Sequence, residues 1–227
     1  GVYNYRVRTN NGQLIEGNTG DVTITFETAG DYNIDITGVF PKNNFNNTGD
    51  KDKITSVNKW GIYGLKDDGN FETNQSSAFY GCSNLTSIAS DLDNINLIIN
   101  GTSMFRECLL TSLPSVMELP LLTDGTFMFS SNPLTLPSSM ILDNLSNGNG
   151  MFNGCVLTDL PSGMTLPNLS NGASMLTNNT INKTRFSQLL VDLESGNSNN
   201  SVIFNGGSSK YNVTGQTARD ILTGATR

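Results

Sequence analysis

One phrase recurs along the chain and limits what it can fold into. It reads Met104-Phe105-Arg106-Glu107-Cys108-Leu109-Leu110-Thr111-Ser112-Leu113-Pro114, and it returns as Met151-Phe152-Asn153-Gly154-Cys155-Val156-Leu157-Thr158-Asp159-Leu160-Pro161. Residues 78–88 and 128–137 carry the same order of residue types, and a degraded fifth version begins at Met175-Leu176. The anchors Phe79, Phe105, Phe129, Phe152 and Leu176 stand 26, 24, 23 and 24 positions apart. A period of roughly 20–29 residues is the signature of a solenoid, because one copy cannot bury its own apolar side chains and neighbours must stack to share a core.

Within each copy the segment Leu-Thr-x-Leu (residues 85–88, 110–113 and 157–160) alternates apolar and polar, as a half-buried strand does, so its leucines are expected to point inward. The proline that follows at 114, 137 and 161 has no N–H and is expected to end the ladder at a corner. Cys82, Cys108 and Cys155 each lie three residues after their anchor phenylalanine, and Asn132 takes that place in the third copy. A small, weakly polar inward group at that slot can meet the turn's backbone. A Cys82–Cys108 bridge is compatible with coils about 4.8 Å apart, but the turn-capping reading is favoured. No C-x-x-C pair and no histidine is present, so a metal site is not expected.

The expected organisation is a β cap over residues 1–48, about five coils over 49–183, and a closing segment over 184–227. Tyr3-Asn4-Tyr5-Arg6-Val7-Arg8, Val22-Thr23-Ile24-Thr25-Phe26 and Tyr32-Asn33-Ile34-Asp35-Ile36-Thr37 alternate as strands, with Asn10-Asn11-Gly12 as a turn. Such a cap covers the unpaired end of a stack. Residues 54–57 read as a zeroth coil, and the lone Trp60 as packing at the junction. Asp50-Lys51-Asp52-Lys53 and Asp67-Asp68 lack the spaced acids of a calcium loop and read as solvated turns. Apolar residues at helical spacing (Phe186, Leu189, Leu190, Leu193) predict a helix over 184–193 with a stop at Gly196; residues 201–204 have strand character, and 215–222 suit a second short helix.

The phrase Phe79-Tyr80-Gly81-Cys82-Ser83-Asn84-Leu85-Thr86-Ser87-Ile88, with Leu166-Pro167-Asn168-Leu169-Ser170-Asn171, resembles the BspA-like leucine-rich-repeat surface proteins. Ala29-Gly30-Asp31-Tyr32-Asn33-Ile34, followed by Gly49-Asp50-Lys51-Asp52-Lys53-Ile54 and Trp60-Gly61, is similar to their PKD-like lead-in. Residues 210–212 and 217–219 resemble their closing segment. The lead-in usually carries a W-G-D-G turn; this chain has Val7-Arg8-Thr9-Asn10-Asn11-Gly12 near that place. The resemblance implies a leucine-rich-repeat-like, right-handed stack, mostly β with short helical turns. It also implies an extracellular setting, on a bacterial surface or a phage tail fibre, with a role in adhesion or receptor recognition.

Composition narrows the function further. A net charge of −7 over 227 residues argues against a nucleic-acid partner, which calls for clustered Lys and Arg. No run approaches the ~18 apolar residues of a membrane span. No charged-then-apolar leader opens the chain, and a domain cut from a larger polypeptide or oligomeric fibre is expected. Without histidine the usual nucleophile–base pairs are missing, and the Asp91/Asp93 pair has nothing to single it out from other solvated acids. No cofactor is expected. The predicted activity is therefore non-catalytic binding of a protein or glycan receptor, through an outward row of Thr86, Ser87, Thr111, Ser112, Thr135, Thr158 and Asp159. The alternatives are a passive spacer or tip domain of a fibre, an enzyme of unrecognised type, and an ice-facing threonine row, the last disfavoured by coils of unequal length.

Overall fold

In the computed structural model, which describes residues 2–199 and 201–223, alternate backbone amides carry the repeats. Each copy turns through two residues of positive φ four apart: Ser77 and Gly81, Ser103 and Glu107, Phe127 and Ser131, Gly150 and Gly154, Ser174 and Asn178. Between them, one set of amides closes tight turns within the copy, as Ala78 N–H does on the Gln75 carbonyl and Met104 N–H on Gly101. The intervening set reaches the next copy. Phe79 N–H donates to the Met104 carbonyl (2.8 Å), Phe105 to Met128 (2.9 Å), Phe129 to Met151 (3.0 Å) and Phe152 to Met175 (3.1 Å). Buried backbone donors are thus satisfied with little regular secondary structure.

This arrangement superposes equivalent side chains. Phe79, Phe105, Phe129 and Phe152 are buried and stack nearly parallel, with centroids 5.5, 5.8 and 5.8 Å apart, within the range of favourable offset aromatic pairs. Met104, Met128, Met151 and Met175 form a second buried column. Each follows a glycine by three residues, and the glycines leave room for the next methionine: a Cβ on Gly101 would lie 2.7 Å from the Met128 sulfur, and one on Gly125 3.0 Å from that of Met151. Further buried columns, Met117/Met140/Met164, Leu119/Leu142/Leu166 and Leu122/Leu145/Leu169, complete the interior.

Among the described residues the structure is mixed and mostly coil, with small sheets and two α-helices. Two-residue strands β4 (Ser56–Val57) and β5 (Ser87–Ile88) pair in parallel. The strands expected over residues 110–113 and 157–160 are not formed, apart from one parallel bridge between Ser112 and Thr135. Parallel pairing resumes instead two residues beyond the proline, in β6 (Val116–Glu118) and β7 (Ser139–Ile141). The pairing therefore lies beyond the proline instead of ending at it.

By internal contacts the chain forms two compact units, Gly1–Lys42 with Gly61–Thr73, and Asn43–Trp60 with Asn74–Arg227. In the first, β1 (Asn4–Thr9) lies between β2 (Leu14–Asn18) and β3 (Ile34–Val39), both antiparallel to it. The strand expected over residues 22–26 is not one. The Asn10-Asn11-Gly12 turn, closed by Gly12 N–H on the Thr9 carbonyl, returns the chain at once, so the residues next in line pair with β1. Residues 22–26 run outside the ladder, where Phe26 stacks on Tyr32 at 3.9 Å. Ile34 and Ile36, on the edge strand, are exposed.

In the second unit both ends of the phenylalanine column are covered. Phe45 (6.2 Å) and Trp60 (5.8 Å) pack on Phe79, and Trp60 is fixed by its indole N–H on the Ala89 carbonyl and its backbone N–H on the Asp91 carboxylate. At the other end α1 (Lys183–Gly196) buries Phe186, Leu189, Leu190 and Leu193, starting from an Asn182 side chain that accepts the N–H groups of Thr184 and Arg185. Strand β8 (Asn171–Gly172) pairs with β9 (Ile203–Phe204), and α2 (Val213–Leu222) packs on α1 where Gly215 meets Ser187. Among the described residues no helix is long and apolar enough to cross a membrane.

Candidate recognition surface

All seven residues of the expected row, Thr86, Ser87, Thr111, Ser112, Thr135, Thr158 and Asp159, are exposed. The backbone beneath them is tied from copy to copy: Thr86 N–H donates to the Thr55 carbonyl (2.9 Å), Thr135 N–H to Thr111 (2.8 Å), and Asn182 N–H to Thr158 (2.7 Å). Thr55, on the segment before β4, extends the row by one residue. Its signal in the sequence is Ile54-Thr55-Ser56-Val57, the same apolar-Thr-Ser-apolar order as residues 85–88. The third copy is one residue shorter between leucine and proline, so Thr135 stands opposite Ser112 rather than Thr111. Asp159 is drawn towards the closing helix by Arg185 (3.7 Å) and accepts the Leu160 N–H.

A second hydroxyl column, Thr123, Ser146 and Ser170, was not read from the sequence, and its chemistry differs. Thr123 Oγ donates to the Ile99 carbonyl, Ser170 Oγ to the Ser146 carbonyl, and the two serine hydroxyls lie 3.1 Å apart. In the expected row only Thr86 is used in this way, on the Thr55 carbonyl. Among the described residues the side-chain hydroxyls of Ser87, Thr111, Ser112, Thr135 and Thr158 have no protein partner.

Beside the second column runs a ladder of Asn74, Asn100, Asp124, Asn147 and Asn171, joined by parallel bridges. Each side-chain oxygen accepts the N–H two residues on, at Ser76, Thr102, Thr126, Asn149 and Ala173, and so opens the turn that leads to the buried Met-Phe pair. The repeat is thus longer than the phrase that revealed it: Asn/Asp-Gly precedes Met-Phe by four residues in copies two to four.

The cysteine slot is inward and satisfied. Cys108 Sγ donates to the Phe79 carbonyl (3.2 Å) and Cys155 Sγ to that of Phe129 (3.1 Å); Asn132 and Asn179 donate from Nδ2 to Phe105 and Phe152. All three cysteines are free. Burial pushes the thiols of Cys82 and Cys155 up from 9.0 to about 12, and that of Cys108 higher still. All three thiols are neutral at physiological pH rather than nucleophilic thiolates. Of the acids considered for calcium, Asp50, Asp52 and Asp68 have partners within the chain. Lys53 meets Asp50 (2.8 Å) and Lys51 meets Asp52 (2.9 Å), while the Ser83 hydroxyl holds the Asp52 carboxyl below its ordinary range. Asp68 is lowered by the Asn70 backbone N–H. Asp91 receives Trp60, and Asp93 is exposed.

In comparison with known proteins, no family model, no curated protein and no solved structure matches the chain.

Proposed function

We propose that the chain is a non-catalytic recognition or adhesion module, a leucine-rich-repeat-like solenoid displayed extracellularly on a cell or virion surface, which binds a protein or glycan receptor through the row from Thr86 to Asp159. The observation that carries this reading is the contrast between the two hydroxyl columns. One ties neighbouring copies together; the other holds five hydroxyls in solvent over a backbone fixed by inter-copy hydrogen bonds, and so presents donors and acceptors already in place. Preorganised groups lose little entropy on binding, and stacked repeats commonly bind along such extended surfaces.

The double variant Thr111→Lys/Thr158→Lys tests the reading. Both positions are exposed, so the variant keeps its circular dichroism and thermal midpoint. Binding of the intact chain to whole bacterial cells or to an arrayed glycan is expected to be lost. Undiminished binding by the folded variant would remove the row from the interface. No binding by the parent chain to any cell or glycan would favour the passive spacer.

A further inference from the structure

At two positions the repeat breaks its own pattern. The residue after the anchor is Tyr80, Arg106, Ser130, Asn153 and Thr177 in successive copies, and the residue two before it is Ser77, Ser103, Phe127, Gly150 and Ser174. Tyr80, Arg106 and Phe127 come together. The Arg106 guanidinium carbon lies 5.1 Å from the Tyr80 ring centroid and 5.0 Å from that of Phe127, so both rings hold the cation. Nε donates to Glu107 Oε1 at 3.1 Å. Among the described residues the two terminal nitrogens have no protein partner, and the side chain retains 33% exposure.

The arrangement is maintained against local backbone preference. Phe127 has φ +52°, in the left-handed region where a bulky residue is a genuine outlier. Its ring lies where a Cβ on Gly150 would stand, so the neighbouring copy supplies a glycine to receive it. The left-handed φ recurs at this position in every copy; what is peculiar here is that a bulky ring occupies it. A guanidinium held flat, with its terminal pair open, presents the fork that fits a carboxylate bidentately. The column continues to Asn153, two copies on and roughly 10 Å away at the spacing of paired backbones. Its Oδ1 accepts from Asn178, and its Nδ2 has no partner among the described residues. An amide donor at that distance, with the half-buried Phe127 of the intervening copy beside the column, suits the hydroxyls and C–H faces of a sugar chain better than a bare anion.

We propose that Arg106, clamped between Tyr80 and Phe127, forms a subsite for the carboxylate of an acidic sugar, a hexuronate unit of a receptor polysaccharide. This rests on the glycan form of the recognition reading and names its ligand class. The test is calorimetric titration of the intact chain with a hexuronate oligosaccharide, its methyl ester and a sulfated oligosaccharide of equal length. The free acid is expected to bind at least tenfold more tightly than either comparator. Arg106→Lys keeps the charge but loses the fork, and is expected to weaken the acid at least tenfold. Phe127→Gly releases the backbone strain, and is expected to weaken binding with no loss of thermal midpoint. Absence of binding, equal affinity for the ester or the sulfated chain, or an Arg106→Lys variant that binds like the parent would each overturn the subsite. If the hexuronate fails while Thr111→Lys/Thr158→Lys still abolishes cell binding, this inference falls and the threonine row stands.

Discussion

Asn132 does for two copies what each cysteine does for one. Its Nδ2 donates to the Phe105 and Phe129 carbonyls (2.7 and 2.9 Å), and its Oδ1 accepts the Leu110 N–H (3.0 Å), all of them buried. Asn132→Ala strands the Phe105 carbonyl and the Leu110 N–H, at roughly 1–3 kcal/mol for each buried polar group left unmade, while the Phe129 carbonyl keeps the Cys155 thiol. Cys155→Ala removes one donor from the Phe129 carbonyl and leaves it the Asn132 amide. Urea denaturation should therefore show the asparagine variant as the weaker by at least about 1 kcal/mol; equal losses would mean that the slot is filled for volume alone. Ionisation of the cysteines has a defined sign. A thiol whose folded value is about 12 against an ordinary 9.0 favours the folded state fully below pH 9, and that contribution fades as pH rises towards 12. The slot was legible because sulfur and amide alternate at one spacing. The Gly101, Gly125 and Gly148 positions were not, since glycine in a chain this rich in Asn and Gly reads as one more turn residue until a methionine is seen against it.

Among the elements, the helices were read nearly to their ends and the strands were not. Phe186, Leu189, Leu190 and Leu193 define one face of α1, and that pattern needs no partner to be seen. The Leu-Thr-x-Leu strands failed for a local reason. Leu110 N–H is taken by the Asn132 side chain and Leu157 N–H by Asn179, so each segment lacks its first amide for a ladder. Pairing moves on to Val116–Glu118, where no side chain competes. The displacement was invisible because the competing group lies some 22 residues away in sequence. At the start of α1, Asn182 caps two amides and also donates its own N–H to Thr158. Asn182→Ala is expected to cost about 1 kcal/mol. Because that helix covers the last copy, the loss should appear in the single cooperative transition of the second unit; a separate early transition would show that the helix is only loosely coupled to the repeats.

On the scale of the molecule, the second unit is a run of like layers with unlike ends: Phe45 and Trp60 over the first phenylalanine, α1 over the last copies. The period and the need for covered ends followed from the sequence, since equivalent apolar residues every 23 to 26 positions leave few other ways to bury them. The form of the layers did not follow. Their cohesion comes from alternate amides of turn residues, and no side-chain pattern encodes which amide faces which way. The four threonines of the row were read as outward from their common place in the repeat, whereas the Tyr80–Arg106–Phe127 cluster was hidden, because departures from a repeat gain meaning only when the copies are superposed.

The ladder of Asn-Gly steps also governs how the protein ages. In a free peptide the glycine nitrogen attacks the preceding side-chain amide, closes a succinimide with release of ammonia, and leaves aspartate or isoaspartate after water opens the ring. Here the Gly101 and Gly148 N–H groups are held by the next copy at 2.8 and 2.7 Å, and the Asn100 and Asn147 oxygens by their own turns. The Asn205 oxygen is held by its own turn as well, by the Gly207 N–H, but among the described residues the Gly206 N–H after this exposed residue has no partner. Peptide mass spectrometry of protein stored at mildly alkaline pH should find the lesion at Asn205 well before Asn100 or Asn147, and at all three together once the chain is denatured. Early loss at Asn100 in folded protein would contradict the inter-copy bonds. Chemical wear of this stack starts at its last layer, and the inner layers keep their amides for as long as they stay closed.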